Sequence, residues 1–102
     1  MKSYKLEYTD DFKDDMSDTL AYISNTLGNP QAAERFLSKV ETAILNRLQM
    51  PLSFEPIQSK RDHYDVYYRI YVGNYVVYYV VEDDTMKVMR LIYGARNTER
   101  YL

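Results

Sequence analysis

Apolar and polar positions change their period along this chain, and the changes divide it into elements. Tyr4, Leu6 and Tyr8 alternate with Lys5 and Glu7, which predicts a short strand. Phe12, Met16, Leu20, Ile23 and Leu27 then recur at helical spacing, so roughly residues 11–27 form an amphipathic helix. Thr9 and Asp10 are its cap candidates. Asp11, Asp14, Asp15 and Asp18 lie on its polar face, where acids near the N-terminus suit the helix dipole and a solvated surface accounts for them better than a metal site. Gly28 stops this helix. Asn29-Pro30 opens the next one, with Asn as cap and Pro in the first turn. Ala33, Phe36, Leu37, Val40, Ile44 and Leu48 line one face down to Met50, and Pro51 closes it. So short a link makes the two helices an antiparallel hairpin.

Residues 51–63 carry two prolines and no period, and read as a loop long enough to suspect of function. From Tyr64 the period is two: YDVYYRIYV, a Gly73-Asn74 hairpin turn, YVVYYVV, an EDDT turn and MKVMRLIY form a three-stranded antiparallel meander. The tail GARNTERYL leaves the sheet. The fold class is therefore α+β, as a single domain over 1–102: an N-terminal strand, a helical hairpin and the meander, with the helices on one sheet face. The near-continuous apolar strands imply that both faces are partly covered, yet the concave face opposite the helices is expected to stay free for a ligand. Where the first strand pairs is not readable.

Composition narrows the function. With 102 residues there is room for one core. No apolar run reaches a membrane span of about 18 residues, and the N-terminus lacks a signal-peptide core, so the expected location is the cytoplasm. Cysteine is absent and His63 is the one histidine, which leaves no thiolate and little basis for a metal site. The net charge of −2 sits awkwardly with nucleic-acid binding. Glu82, Asp83 and Asp84 gather in one turn, so the C-terminal surface around Lys87, Arg90, Arg96 and Arg100 is a candidate basic patch. Twelve tyrosines and no tryptophan give amphipathic rings that fill a half-exposed sheet or stack on bases.

The start Asn29-Pro30-Gln31-Ala32-Ala33 with Phe36-Leu37, the segment Tyr68-Arg69-Ile70-Tyr71-Val72-Gly73-Asn74-Tyr75, and the ending Met89-Arg90-Leu91-Ile92-Tyr93-Gly94-Ala95-Arg96-Asn97 together resemble the RelE/ParE toxin superfamily, over nearly the whole chain. The resemblance implies a RelE-like fold and the toxin half of a type II toxin–antitoxin module, neutralised by an antitoxin whose C-terminal segment wraps around it. RelE-like members are metal-independent, ribosome-dependent mRNA endonucleases: the RNA 2′-hydroxyl attacks the adjacent phosphate and leaves a 2′,3′-cyclic phosphate. ParE-like members poison DNA gyrase and cut no RNA. The expected function is the ribosome-dependent nuclease, with ribosome and mRNA as partners and no cofactor. The gyrase inhibitor, or a degenerate toxin that only binds antitoxin, is the alternative.

In-line attack without a metal needs a base, an acid and positive charge on the phosphorane oxygens, which arginine supplies bidentately. Arg96 matches a phosphate-binding arginine of RelE-like proteins; it reads equally as an exposed tail arginine paired with Glu99 or the C-terminus. Arg69 shares a strand face with Tyr67 and Tyr71 and points at ligand if that face is open, or pairs with Asp65 if it is not. Tyr93 stands where relatives carry histidine or tyrosine, and reads as an acid or a stacking platform, since phenols are poor bases at neutral pH. These three form the candidate catalytic set, and Tyr71, Arg100 and Tyr101 the candidate RNA-binding set. Arg90 on the last strand reads as structural, bonding an acid of the helical hairpin. His63 is a loop histidine left outside the catalytic set. Val76 and Tyr71 occupy usually basic positions, and each lost cation weakens phosphate stabilisation.

Overall fold

The computed structural model describes residues 3–58 and 66–94. Strand β1 (Lys5–Tyr8) leads into helix α1 (Asp10–Ala21), a π-helical turn (Tyr22–Thr26) and helix α2 (Pro30–Leu48). A two-residue strand β2 (Ile57–Gln58) precedes the meander β3 (Val66–Val72), β4 (Tyr75–Glu82) and β5 (Thr85–Tyr93). The sheet order is β1-β5-β4-β3-β2, with β1 parallel to β5 and the other pairings antiparallel.

Local chemistry sets these boundaries. The Thr9 hydroxyl accepts from the Phe12 N–H at 3.0 Å and caps α1. The Asn29 side chain caps α2 by accepting from the Ala32 N–H at 3.1 Å, with Pro30 in the first turn. The first helix does not run regularly to Leu27. After Ala21 it widens into the π turn, which ends where Gly28 adopts φ +65°, a conformation cheap only without a Cβ.

The helices pack on one sheet face. Phe12, Met16, Val40 and Ile44 meet Tyr68, Ile70, Val77, Tyr79, Met86 and Val88 in the main core. The opposite face is not the open surface expected from the sequence. Tyr67, Val76, Tyr78, Val80 and Ile92 form a second buried cluster there, and Tyr78 is 0% exposed. The reason is in β4, where side chains of both parities are apolar, so both faces must leave water. Among the described residues no helix is long and apolar enough to cross a membrane.

One irregularity shapes the sheet end. Tyr79 pairs with Val88 while Tyr78 pairs with Arg90, so Met89 is an extra residue bulging from β5. Strand β1 stops at Val88, and side chains of the first helix and its cap take over from it. The Thr9 hydroxyl donates to the Met89 carbonyl at 2.8 Å, and the Asp15 carboxylate accepts from the Leu91 N–H at 3.0 Å. Two backbone groups on this edge of β5 are thus satisfied without another strand.

Candidate functional site

The candidate residues fall in three places. Arg69 and Tyr71 stand on the sheet face away from the helices, opposite Tyr78 and Val76. Tyr71 is 58% exposed, and the Arg69 guanidinium lies 5.9 Å from its ring centroid, a cation–π distance. Tyr93 stands on the helix side. It is the register partner of Tyr75 and meets that ring edge-on at 5.2 Å, and Tyr75 in turn packs on Phe36 of α2. The sheet therefore separates Arg69 from Tyr93. Arg96, Arg100, Tyr101 and His63 lie outside the described residues, as does Asp65.

The candidate basic patch shrinks once partners are counted. Lys87 bonds Glu82 at 2.8 Å. Arg90 reaches Asp15 with two nitrogens, Nε at 2.7 Å and Nη2 at 3.0 Å, the bidentate fork expected of an arginine–carboxylate pair. Arg90 thus pins the last strand to α1, the structural role read from the sequence. Asp15, one of the four acids on the polar face of α1, is a partner in the core's edge and not simply solvated.

Arg47 was not singled out by its position in the sequence. It projects from the last turn of α2 and donates from one terminal nitrogen to the Arg69 main-chain carbonyl at 3.0 Å and to the Tyr79 hydroxyl at 2.9 Å. The Tyr79 hydroxyl donates onward to the Pro51 carbonyl at 2.8 Å, and the Phe54 ring stacks on the guanidinium at 3.5 Å. This ties the start of the long loop to β3. Burial holds the Tyr79 hydroxyl above its ordinary pKa, with Arg47 opposing.

Tyr93 opens onto a cleft of about 740 Å³ at the end of the sheet, between the π turn, α2 and the start of β4. Tyr22, Leu27, Phe36 and Tyr75 supply apolar wall, and Arg35 and Lys39 stand on its α2 side. An adjoining hollow places Asp15 and Asp18 on the α1 side of the same tyrosines. Tyr93 is 62% and Leu27 58% exposed. Burial raises the Tyr75 pKa above its ordinary value, opposed by a hydrogen bond with Thr19. π turns are rare and recur at functional sites; the extra residue per turn is what sets both Tyr22 and Leu27 on the cleft. Among the described residues no group of three or more histidines and carboxylates is placed to hold a metal ion.

With this geometry described, comparison with known proteins places the chain. The family model described as the ParE toxin of the type II toxin–antitoxin system parDE matches residues 6–98. The structure is similar to that of the chromosomal ParDE system of P. aeruginosa, with a TM-score of 0.73 at 10% identity, covering 89% of this chain and 96% of that one. It is also similar to the RelB–RelE antitoxin–toxin complex of Methanococcus jannaschii, with a TM-score of 0.54 at 20% identity over 94% and 98% of the chains. YafQ of E. coli matches at 0.51 and 17% identity over 92% and 97%. At such identities these structures show the fold alone, and it is the RelE-like fold expected from the sequence. No curated protein matches the sequence.

Proposed function

The chain belongs to the ParE toxin family of type II toxin–antitoxin systems, and from that premise we propose that it poisons DNA gyrase by binding it and does not cut RNA itself. The observation that carries this reading is the separation of Arg69 from Tyr93 by the sheet. In-line phosphoryl transfer needs charge, base and acid within hydrogen-bonding reach of one phosphate, and these two groups face opposite ways. The pairing of Lys87 and Arg90 with carboxylates, the apolar Val76 and the net charge of −2 support the same conclusion. The reading implies an antitoxin as physiological partner and the cytoplasm as the site of action.

One observation favours the nuclease as the second reading. Arg69 beside the exposed Tyr71 ring is an arrangement suited to stacking a nucleotide base against a cation. Two assays on the same protein separate the readings. Purified toxin is added to gyrase and relaxed plasmid, and mRNA from induced cells is mapped by primer extension. Inhibited supercoiling with intact mRNA is the expected result. New 5′ ends inside translated messages, with gyrase untouched, would overturn the proposal and return Arg69, Tyr71 and Tyr93 to the list for mutation.

A further inference from the structure

Three tyrosines at the end of the sheet stand between charges of opposite sign. Tyr22, Tyr75 and Tyr93 line the cleft of about 740 Å³ that has Arg35 and Lys39 on its α2 side. The same three line the adjoining hollow, which has Asp15 and Asp18 on the α1 side. The two acids differ. Asp15 already accepts three hydrogen bonds, from Arg90 and the Leu91 N–H. The exposed Asp18 carboxylate makes no ion pair among the described residues.

Arg35 and Lys39 are exposed and one helical turn apart, and no carboxylate lies three or four residues from either along α2. Like charges at that spacing repel, so an anion held by both relieves the helix. Lys13 and Arg69 also lack an ion pair among the described residues, but each stands singly, Lys13 in a groove with Glu41 and Arg69 against the Tyr71 ring. Between the cations and Asp18 lie flat apolar faces. Tyr93 is 62% and Tyr22 51% exposed, and Tyr93, Tyr75 and Phe36 follow one another at centroid separations of 5.2 and 4.8 Å, each ring fixing the next. The cleft volume falls within the range of small-molecule sites.

A ligand that uses all three parts carries hydrogen-bond donors at one end, a flat ring in the middle and an anion at the other end. We infer that the cleft binds a free guanine nucleotide, with the base on the tyrosine rings, its donor edge on Asp18 and its phosphates on Arg35 and Lys39. Stacking on exposed tyrosines suits any base, and the arginine fork suits phosphate. The carboxylate selects the base. An ionised carboxylate only accepts hydrogen bonds. Guanine presents two adjacent donors, N1–H and the 2-amino group, whereas adenine sets an acceptor nitrogen beside its one amino group. Inorganic phosphate has no ring to stack, and a fatty acid has no donor for Asp18.

The test uses the full-length purified toxin, titrated by calorimetry with GDP, ADP and inorganic phosphate at two salt concentrations. GDP binds with a Kd of about 10–100 μM, roughly tenfold tighter than ADP, and phosphate alone binds far more weakly. The double reversal R35E/K39E weakens GDP by about tenfold or more, with most of the difference lost at high salt. Asp18→Asn brings GDP and ADP to within about twofold of each other, because an amide offers a donor as well as an acceptor. Lys13→Glu, in the other groove, changes either affinity by less than about twofold. These positions are exposed on helices, so the variants keep the wild-type melting curve. Folded wild-type toxin that binds GDP no better than phosphate overturns the inference. So does GDP binding that survives R35E/K39E, and so does a GDP-to-ADP preference that Asp18→Asn leaves intact. Retention of a labelled RNA oligonucleotide that GDP does not displace, with no GDP bound, makes the cleft a nucleic-acid surface and overturns it as well. No readout involves gyrase, so each of these failures leaves the gyrase proposal standing.

Discussion

Replacing Asp15 with alanine tests the account of how the last strand is held. The carboxylate accepts three hydrogen bonds, two from the Arg90 guanidinium and one from the Leu91 N–H. Its side chain is 16% exposed and that of Arg90 is 31% exposed, so the pair is neither a surface ion pair nor a fully buried one. Orphaning a partly buried backbone N–H costs about 1–3 kcal/mol. The ionic part, discounted for the water that reaches Arg90, adds about 1–2 kcal/mol. Alanine is the better helix former by roughly 0.5 kcal/mol, which offsets a little of this. The net expectation is a loss of about 2–4 kcal/mol, or a fall in Tm of about 8–16 °C at roughly 4 °C per kcal/mol for a domain of this size. Asp15→Asn keeps an acceptor for Leu91 and forfeits the charge, and falls about midway. Urea denaturation of Asp15→Ala, Arg90→Met and the double variant completes a cycle, with a coupling of about 1–2 kcal/mol expected. A loss below about 0.5 kcal/mol for Asp15→Ala, with strict additivity, would refute the claim that α1 replaces β1 as the neighbour of this strand.

Three further outcomes follow from other contacts. Tyr79→Phe removes the hydroxyl between Arg47 and Pro51 from a fully buried ring and lowers stability by about 1–3 kcal/mol in urea titrations. Thr9→Ala loses both the cap on α1 and the bond to Met89, about 1–2 kcal/mol by thermal melts, whereas Thr9→Ser keeps most of it. Burial holds Tyr8, Tyr75 and Tyr79 above the ordinary tyrosine pKa of 10.0, so the folded chain retains protons that the unfolded chain releases. Their contribution to stability is intact below pH 10.0 and declines as pH rises beyond it, which absorbance at 295 nm followed against unfolding records as a late-titrating class of tyrosines.

The elements were largely legible in the sequence because each rests on local chemistry. The Asn29-Pro30 start, the Gly73-Asn74 turn and the 3.6 and 2.0 periods are decided within a few residues of themselves. What escaped depends on distant partners. Strand β1 pairs with β5, some 80 positions away, and four residues carry no mark of parallel pairing. Strand β2 is two residues inside a proline-bearing loop. Arg47 lies in an ordinary helical turn, and its role appears only when Pro51, Phe54, Arg69 and Tyr79 converge on it.

Arg69 and Tyr93 stand on opposite faces of the sheet for one traceable reason. Strict alternation along Thr85–Tyr93 sets Met86 and Val88 toward the helices and Tyr93 on the face of Arg69, where a shared site is plausible. The bulge at Met89 inserts one residue and reverses parity for everything after it, so Leu91 joins the helix-side core and Ile92 the far cluster. Tyr93 crosses to the helix side with Leu91 and becomes the wall of the cleft that carries Arg35 and Lys39. The sequence does hold the trace of this reversal: apolar Met86 and Val88 are even, and Leu91, which joins them in the same core, is odd. A single inserted residue thus exchanges a sheet face carrying Arg69 and Tyr93 together for a tyrosine cleft beside the helical hairpin, and this separation is what the proposed gyrase reading rests on.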